Sequence, residues 1–125
     1  MSYKYVQYEL TCGNGTYANE SLNASLFQEL ISELELYDFI VLEPSVPLEG
    51  SLYLQATTLE EATARRPQII VEIRVQQKQD LHPFRHYRLM TEHNERVLRL
   101  FLEYWGEQRL PDVELDGWQE VTDEF

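Results

Sequence analysis

The chain reads as a single α+β domain whose largely antiparallel sheet is packed by two main helices, and three observations predict this. Several segments alternate apolar and polar residues with a period of two, or form short apolar runs closed by Gly or Pro. Two others carry apolar residues at three-to-four spacing. The middle strands are joined by hairpin-length connections, too short for the long crossover that parallel pairing needs. At 125 residues the chain fits one domain over residues 1–125 and is long enough for a real core. With 43% apolar and 12% aromatic residues it has the means to fold despite its charge.

Tyr3 to Thr11 sets Val6, Tyr8 and Leu10 on one face and reads as a strand. Cys12-Gly-Asn-Gly-Thr16 breaks it, and the polar stretch to Asn23 reads as a loop rather than a tight hairpin. The spacing of Leu26, Phe27, Leu30, Ile31 and Leu34 predicts a helix from about Ala24 to Leu36, with Asn23 as its N-cap. Its outer side carries Gln28, Glu29, Ser32, Glu33 and Glu35, with no Lys four residues on to balance them. Phe39 to Leu42 is a short apolar strand closed by Glu43-Pro44, and Ser51 to Thr57 resumes the alternation. Thr58-Leu-Glu-Glu61 has the form of a capping box and predicts a helical turn to about Arg65, which Pro67 stops. Ile69 to Gln77 alternates most regularly of all, and Phe84 to Met90 follows as another strand. Val97, Leu98, Phe101, Leu102 and Trp105 form a helical stripe from Thr91 to Trp105, with Gly106 as a C-cap and Pro111 beyond it. Trp118 to Val121 is a candidate short strand that pins the last stretch.

Charge is distributed unevenly. The formal net charge is −12. From Tyr5 to Ala64 there is no Lys or Arg against ten acids, whereas Arg65 to Arg99 holds eight bases and four acids. From Leu100 onward eight acids face Arg109 alone. A field of one sign steers encounters with oppositely charged partners and rejects like-charged ones. Nucleic acid and anionic membranes are therefore disfavoured as direct ligands, since both are held by Lys and Arg. No apolar run approaches the roughly 20 residues of a membrane span, and Met-Ser-Tyr-Lys-Tyr lacks the apolar core of a secretion signal. A cytoplasmic location is the resulting expectation.

No catalytic or cofactor motif stands out. Cys12 is the only cysteine, which rules out an internal disulfide and reads as a small buried hydrophobe. His82 and His86 have HxxxH spacing, but Pro83 interrupts any helix through both and no acid completes a zincin motif; these two and His93 read as ordinary polar residues. Cys12-Gly-Asn-Gly15 lacks the Lys-Ser/Thr of a phosphate loop. The three Asn-x-Ser/Thr triplets at Asn14, Asn19 and Asn23 mark a polar loop. Arg85, Arg88, Arg96 and Arg99 read as counter-charges to the acidic surface, with Arg96 and Arg99 at pairing distance from Glu92, Glu95 or Glu103 along a helix. No cofactor or metal is expected, and the chain does not read as an enzyme.

Acids interleave with aromatics at Tyr37-Asp38, Glu49 to Tyr53 and Asp112 to Trp118, the anatomy of a protein interface with aromatic anchors in a charged ring. In being small, acidic and without a catalytic motif, the chain resembles the immunity proteins of bacterial polymorphic-toxin and contact-dependent-inhibition systems. That resemblance implies a stoichiometric inhibitor occluding a cognate toxin domain, often a basic nuclease. The residues expected to meet the partner's basic surface are Glu33, Asp38, Glu43, Glu49, Glu60, Glu61, Asp112, Glu114 and Asp116, with Tyr53 and Trp118 as anchors. Three other readings stand beside it: a nucleic-acid mimic blocking a DNA- or RNA-binding protein, a small enzyme using a carboxylate or His86, and an adaptor subunit.

Overall fold

A computed structural model describes residues 6–58, 68–76, 83–114 and 117–124, leaving aside the side chain of residue 35. Seven strands form one fully antiparallel sheet: β1 (Tyr8–Cys12), β2 (Gly15–Tyr17), β3 (Phe39–Pro44), β4 (Ser51–Thr58), β5 (Ile69–Gln76), β6 (Phe84–Thr91) and β7 (Gln119–Glu120). Their order across the sheet is β2-β1-β3-β4-β5-β6-β7. Among the described residues three α-helices accompany them, α1 (Ala24–Ser32), the single turn α2 (Leu34–Tyr37) and α3 (Asn94–Gly106), with short 3-10 turns at Asn19–Ser21 and Thr122–Glu124. The molecule is an α+β domain with α1 and α3 stacked together on one side of the sheet, as the sequence predicts.

The alternation along each strand decides which side is covered. Tyr8, Leu10 and Cys12 on β1, Ile40 and Leu42 on β3, Leu54 and Ala56 on β4, and Val71 and Ile73 on β5 all point to one face and are buried. Phe27 of α1 and Phe101 of α3 close that core with ring centroids 6.3 Å apart, and Trp105 packs against Phe27 in a tilted contact at 5.3 Å. A chain of hydroxyls crosses it. The Tyr8 hydroxyl donates to the Tyr104 carbonyl at 2.8 Å, filling an acceptor that the end of α3 would leave orphaned. The Tyr104 hydroxyl and Ser51 Oγ lie 2.8 Å apart, and Ser51 Oγ reaches the Tyr53 carbonyl at 3.3 Å. Burial pushes the Tyr8 phenol up to about 12 and raises that of Tyr104 further.

Three local features differ from the sequence reading, one of them at α3, which begins at Asn94 rather than Thr91 and has Glu107 rather than Gly106 at its C-cap. Residues 12–16 form a tight hairpin rather than a loop, since Cys12 pairs Gly15 across the two-residue turn Gly13-Asn14. The first helix also breaks at Glu33, with α2 continuing to Tyr37. Asn23 caps α1 as expected, its Oδ1 accepting the Leu26 amide at 2.8 Å. The predicted turn from Thr58 to Arg65 lies outside the described residues beyond Thr58 itself.

Among the described residues three non-glycine residues hold positive φ: Asp38, Glu49 and Gln108. At Asp38, φ 67° and ψ −49° lie near the strained γ-turn conformation. Glycine adopts such angles without a Cβ penalty. Asp38→Gly is therefore expected to raise the unfolding free energy by about 1 kcal/mol, net of glycine's larger chain entropy. A urea midpoint that falls in this variant would show that the Asp38 side chain holds the turn.

Candidate functional site

The sheet face away from α1 and α3 carries the charged chemistry. Its residues follow from strand parity: Glu9 and Thr11 on β1, Phe39, Val41 and Glu43 on β3, Tyr53, Gln55 and Thr57 on β4, Ile70, Glu72 and Arg74 on β5, and Phe84, His86, Arg88 and Met90 on β6. Register then fixes neighbours, setting Glu9 opposite Glu43, Gln55 opposite Glu72, Glu72 opposite Arg88 and Arg74 opposite His86.

One half of this face is internally neutralised. His86 is only 2% exposed, and both of its ring nitrogens are engaged. Arg74 Nε donates to His86 Nδ1 at 3.2 Å, which leaves Nε2 to carry the proton and donate to Glu72 Oε2 at 2.5 Å. Arg88 also reaches Glu72 Oε2, at 3.4 Å, and forms a two-oxygen contact with Glu124 at 3.1 and 3.2 Å. Arg85 pairs with Glu120 at 3.1 Å. The strap of residues 119–124 thereby closes over β6, its Val121 amide donating to the His86 carbonyl at 2.7 Å and Thr122 Oγ1 accepting the His86 amide at 3.0 Å. Arg74 lies over the Phe84 ring, 3.9 Å from its centroid, and faces Tyr53 at 6.0 Å.

Burial lowers the pKa of His86, an effect opposed by Glu72 and reinforced by Arg74 and Arg88. The neutral ring is thus the form that the fold holds. Because the folded value lies below the unfolded one, the unfolded chain binds more protons as pH drops from about 6.5 towards the folded value, so stability declines in that window. The expected result is a falling urea midpoint between about pH 7 and pH 5.5 that flattens in His86→Gln. An unchanged slope in that variant would assign the dependence to other groups.

The other half of the face is bare acid. Glu9 and Glu43 are exposed and directly opposite across β1 and β3, a like-charge pairing that costs stability. With Glu20 they line a groove of about 390 Å³ beside β1.

The structure spreads the acids expected from the sequence over several places. Glu43 and Tyr53 project from neighbouring strands on the same sheet face. Glu33 lies at the α1–α2 break and Asp38 at the entry to β3, both exposed. Glu49 sits past the far end of β3, in a two-residue turn closed by mutual Leu48 and Ser51 backbone bonds of 2.9 and 2.7 Å. Asp112 and Glu114 belong to the loop after α3, where Asp112 Oδ1 accepts the Glu114 amide at 3.1 Å. Asp112 lines a cleft of about 430 Å³ that also contains Arg96, Arg99 and Arg109. Glu103 pairs there with Arg109 at 3.2 Å, a partner the helical spacing did not indicate. Trp118 is half-buried against the core, while Tyr53 is half-buried beside His86. Glu60, Glu61 and Asp116 lie outside the described residues. Cys12 is buried, and Asn19 Oδ1 accepts the Tyr8 amide at 2.9 Å, giving these residues structural roles.

Sequence reasoning missed the grouping of Glu9 and Glu20 with Glu43 and the Glu72–His86–Arg88 cluster. Strand parity already placed Glu72 and Arg74 on one face; the register that joins them to β6 was the missing information. Among the described residues no group of three or more His, Cys, Asp or Glu is placed to hold a metal ion. No helix among them is long and apolar enough to cross a membrane. No known protein family, curated protein or solved structure matches the chain.

Proposed function

We propose that this protein is a stoichiometric inhibitor of the immunity type, binding a cognate toxin domain through that domain's basic surface and occluding it. A basic nuclease is the partner class that the charge fits best. One observation carries the reading: the charge is segregated in space by how it is paired. Arg85, Arg88 and Arg109 spend their charge on Glu72, Glu103, Glu107, Glu120 and Glu124, all within the later half of the chain. Glu9, Glu20, Glu33, Asp38, Glu43 and Glu49 form no ion pair among the described residues. Unpaired carboxylates keep their long-range field, which accelerates encounter with a cationic partner and fades with salt.

Combined reversal at Glu33→Lys, Glu43→Lys and Glu49→Lys is expected to lower the association rate with the captured partner by about tenfold or more at low ionic strength, and to shrink its salt dependence. Stopped-flow measurements at about 0.02 and 0.5 M salt would read both. Equal rates for the triple variant and the parent would remove the acidic surface from the mechanism. Capture at about 0.1 and 1 M salt separates this reading from nucleic-acid mimicry. A single basic domain retained at high salt at equal stoichiometry supports a dedicated inhibitor, whereas several nucleic-acid-binding proteins lost at high salt support the mimic.

A further inference from the structure

The sheet face away from the helices has an apolar side as well as an acidic one. Register aligns Phe39 with Thr57, Thr57 with Ile70 and Ile70 with Met90, a row crossing four strands. Met90 is 54% exposed, and Phe39 and Ile70 are half-buried. Val41 continues the apolar surface towards Glu43, which stands two residues further along β3 and opposite Glu9. Two residues of strand span about 7 Å, so apolar side chains and bare carboxylates share one footprint of interface size. On this face apolar area abuts an unneutralised acidic rim, the arrangement of a protein-binding surface with a dehydrated centre and a steering edge.

We propose that the part of this face running from β1 through β3, β4 and β5 to the Met90 end of β6 is the docking surface for the basic partner, which sets aliphatic side chains against Phe39, Val41, Ile70 and Met90 and Lys or Arg against Glu9 and Glu43. The proposal rests on the inhibitor reading and says which surface performs it. Charge complementarity selects the occupant, since Glu9 and Glu43 have no cation of their own among the described residues. It also separates this surface from its nearest rival, the strip on α3 with Leu98 and Leu102. There Glu103 and Glu107 are already bridged by Arg109 at 3.2 and 2.9 Å. A cationic partner would have to displace that arginine on α3 but nothing on the sheet.

The test maps a defined probe on the full chain. A hexapeptide of alternating lysine and leucine is titrated at low ionic strength into the isotopically labelled protein, and amide shifts are followed by NMR. Shifts are expected at Val41, Glu43, Glu9, Ile70 and Met90. The double variant Glu9→Gln, Glu43→Gln should weaken binding about tenfold, and Met90→Gln should weaken it about threefold. Both variants change solvent-facing positions, and a urea midpoint that does not fall will show that they leave the fold intact. Shifts centred on Leu98 and Leu102, shifts spread evenly over all exposed acids, or no binding at millimolar peptide would overturn the assignment. Those outcomes leave the inhibitor reading standing, because it fails on a different result: a captured partner whose association ignores charge reversal and salt.

Discussion

Glu72→Ala is expected to destabilise the protein by roughly 3 kcal/mol, among the largest effects of any single substitution on the charged face. Glu72 is 13% exposed and lies between His86 Nε2 and the Arg88 guanidinium, itself 26% exposed. Removing the carboxylate leaves an imidazole N–H without its acceptor and takes from the Arg88 guanidinium one of its two counter-charges in a partly desolvated setting. Breaking one partner of such a cluster costs far more than the cluster contributes on balance, because the remaining charges stay where burial put them. Arg88 Nε is already buried without a hydrogen-bond partner among the described residues. Glu72→Gln keeps an acceptor for His86 and should lose roughly half as much. The urea midpoint at constant m reads both variants. A loss below about 1 kcal/mol for Glu72→Ala would mean that water replaces the carboxylate and that the face is more solvated than its exposures indicate.

Gly13→Ala is expected to cost a similar amount, roughly 3 kcal/mol, through steric overlap rather than charge. The Gly13 amide donates to the Tyr37 carbonyl at 2.9 Å, binding the first hairpin to the end of α2. A Cβ at this position would sit 2.5 Å from that carbonyl oxygen and 3.2 Å from Asp38 Oδ2. Backbone cannot swing aside as a side chain can, so the hairpin must withdraw and the hydrogen bond lengthens or breaks. The strained Asp38 turn lies in the same contact, so Gly13→Ala and Asp38→Gly should be non-additive, the second relieving part of the first. A double-mutant cycle by urea unfolding measures that coupling. Strict additivity would show that the two turns adjust independently.

What the amino-acid order determined was local. The three-to-four spacing from Leu26 to Leu34 and from Val97 to Trp105 made α1 and α3, and Asn23 capped the first because its short side chain reaches an amide three residues on. Alternation within each strand sorted residues between two faces, which told Leu54 from Tyr53 and Ile73 from Glu72 before any pairing was known. The charge segregation was also visible along the chain. The sequence left undecided which strands lie side by side, because pairing joins residues by backbone groups that every residue possesses. Tertiary structure alone set Glu9 against Glu43, enclosed His86 between Glu72, Arg74 and the 119–124 strap, and sent Asp38 and Glu49 to opposite ends of β3. Side-chain type fixes which face of an element is buried; only the register between elements decides which charges meet, and that is what divides this sheet into a neutralised half and an acidic one.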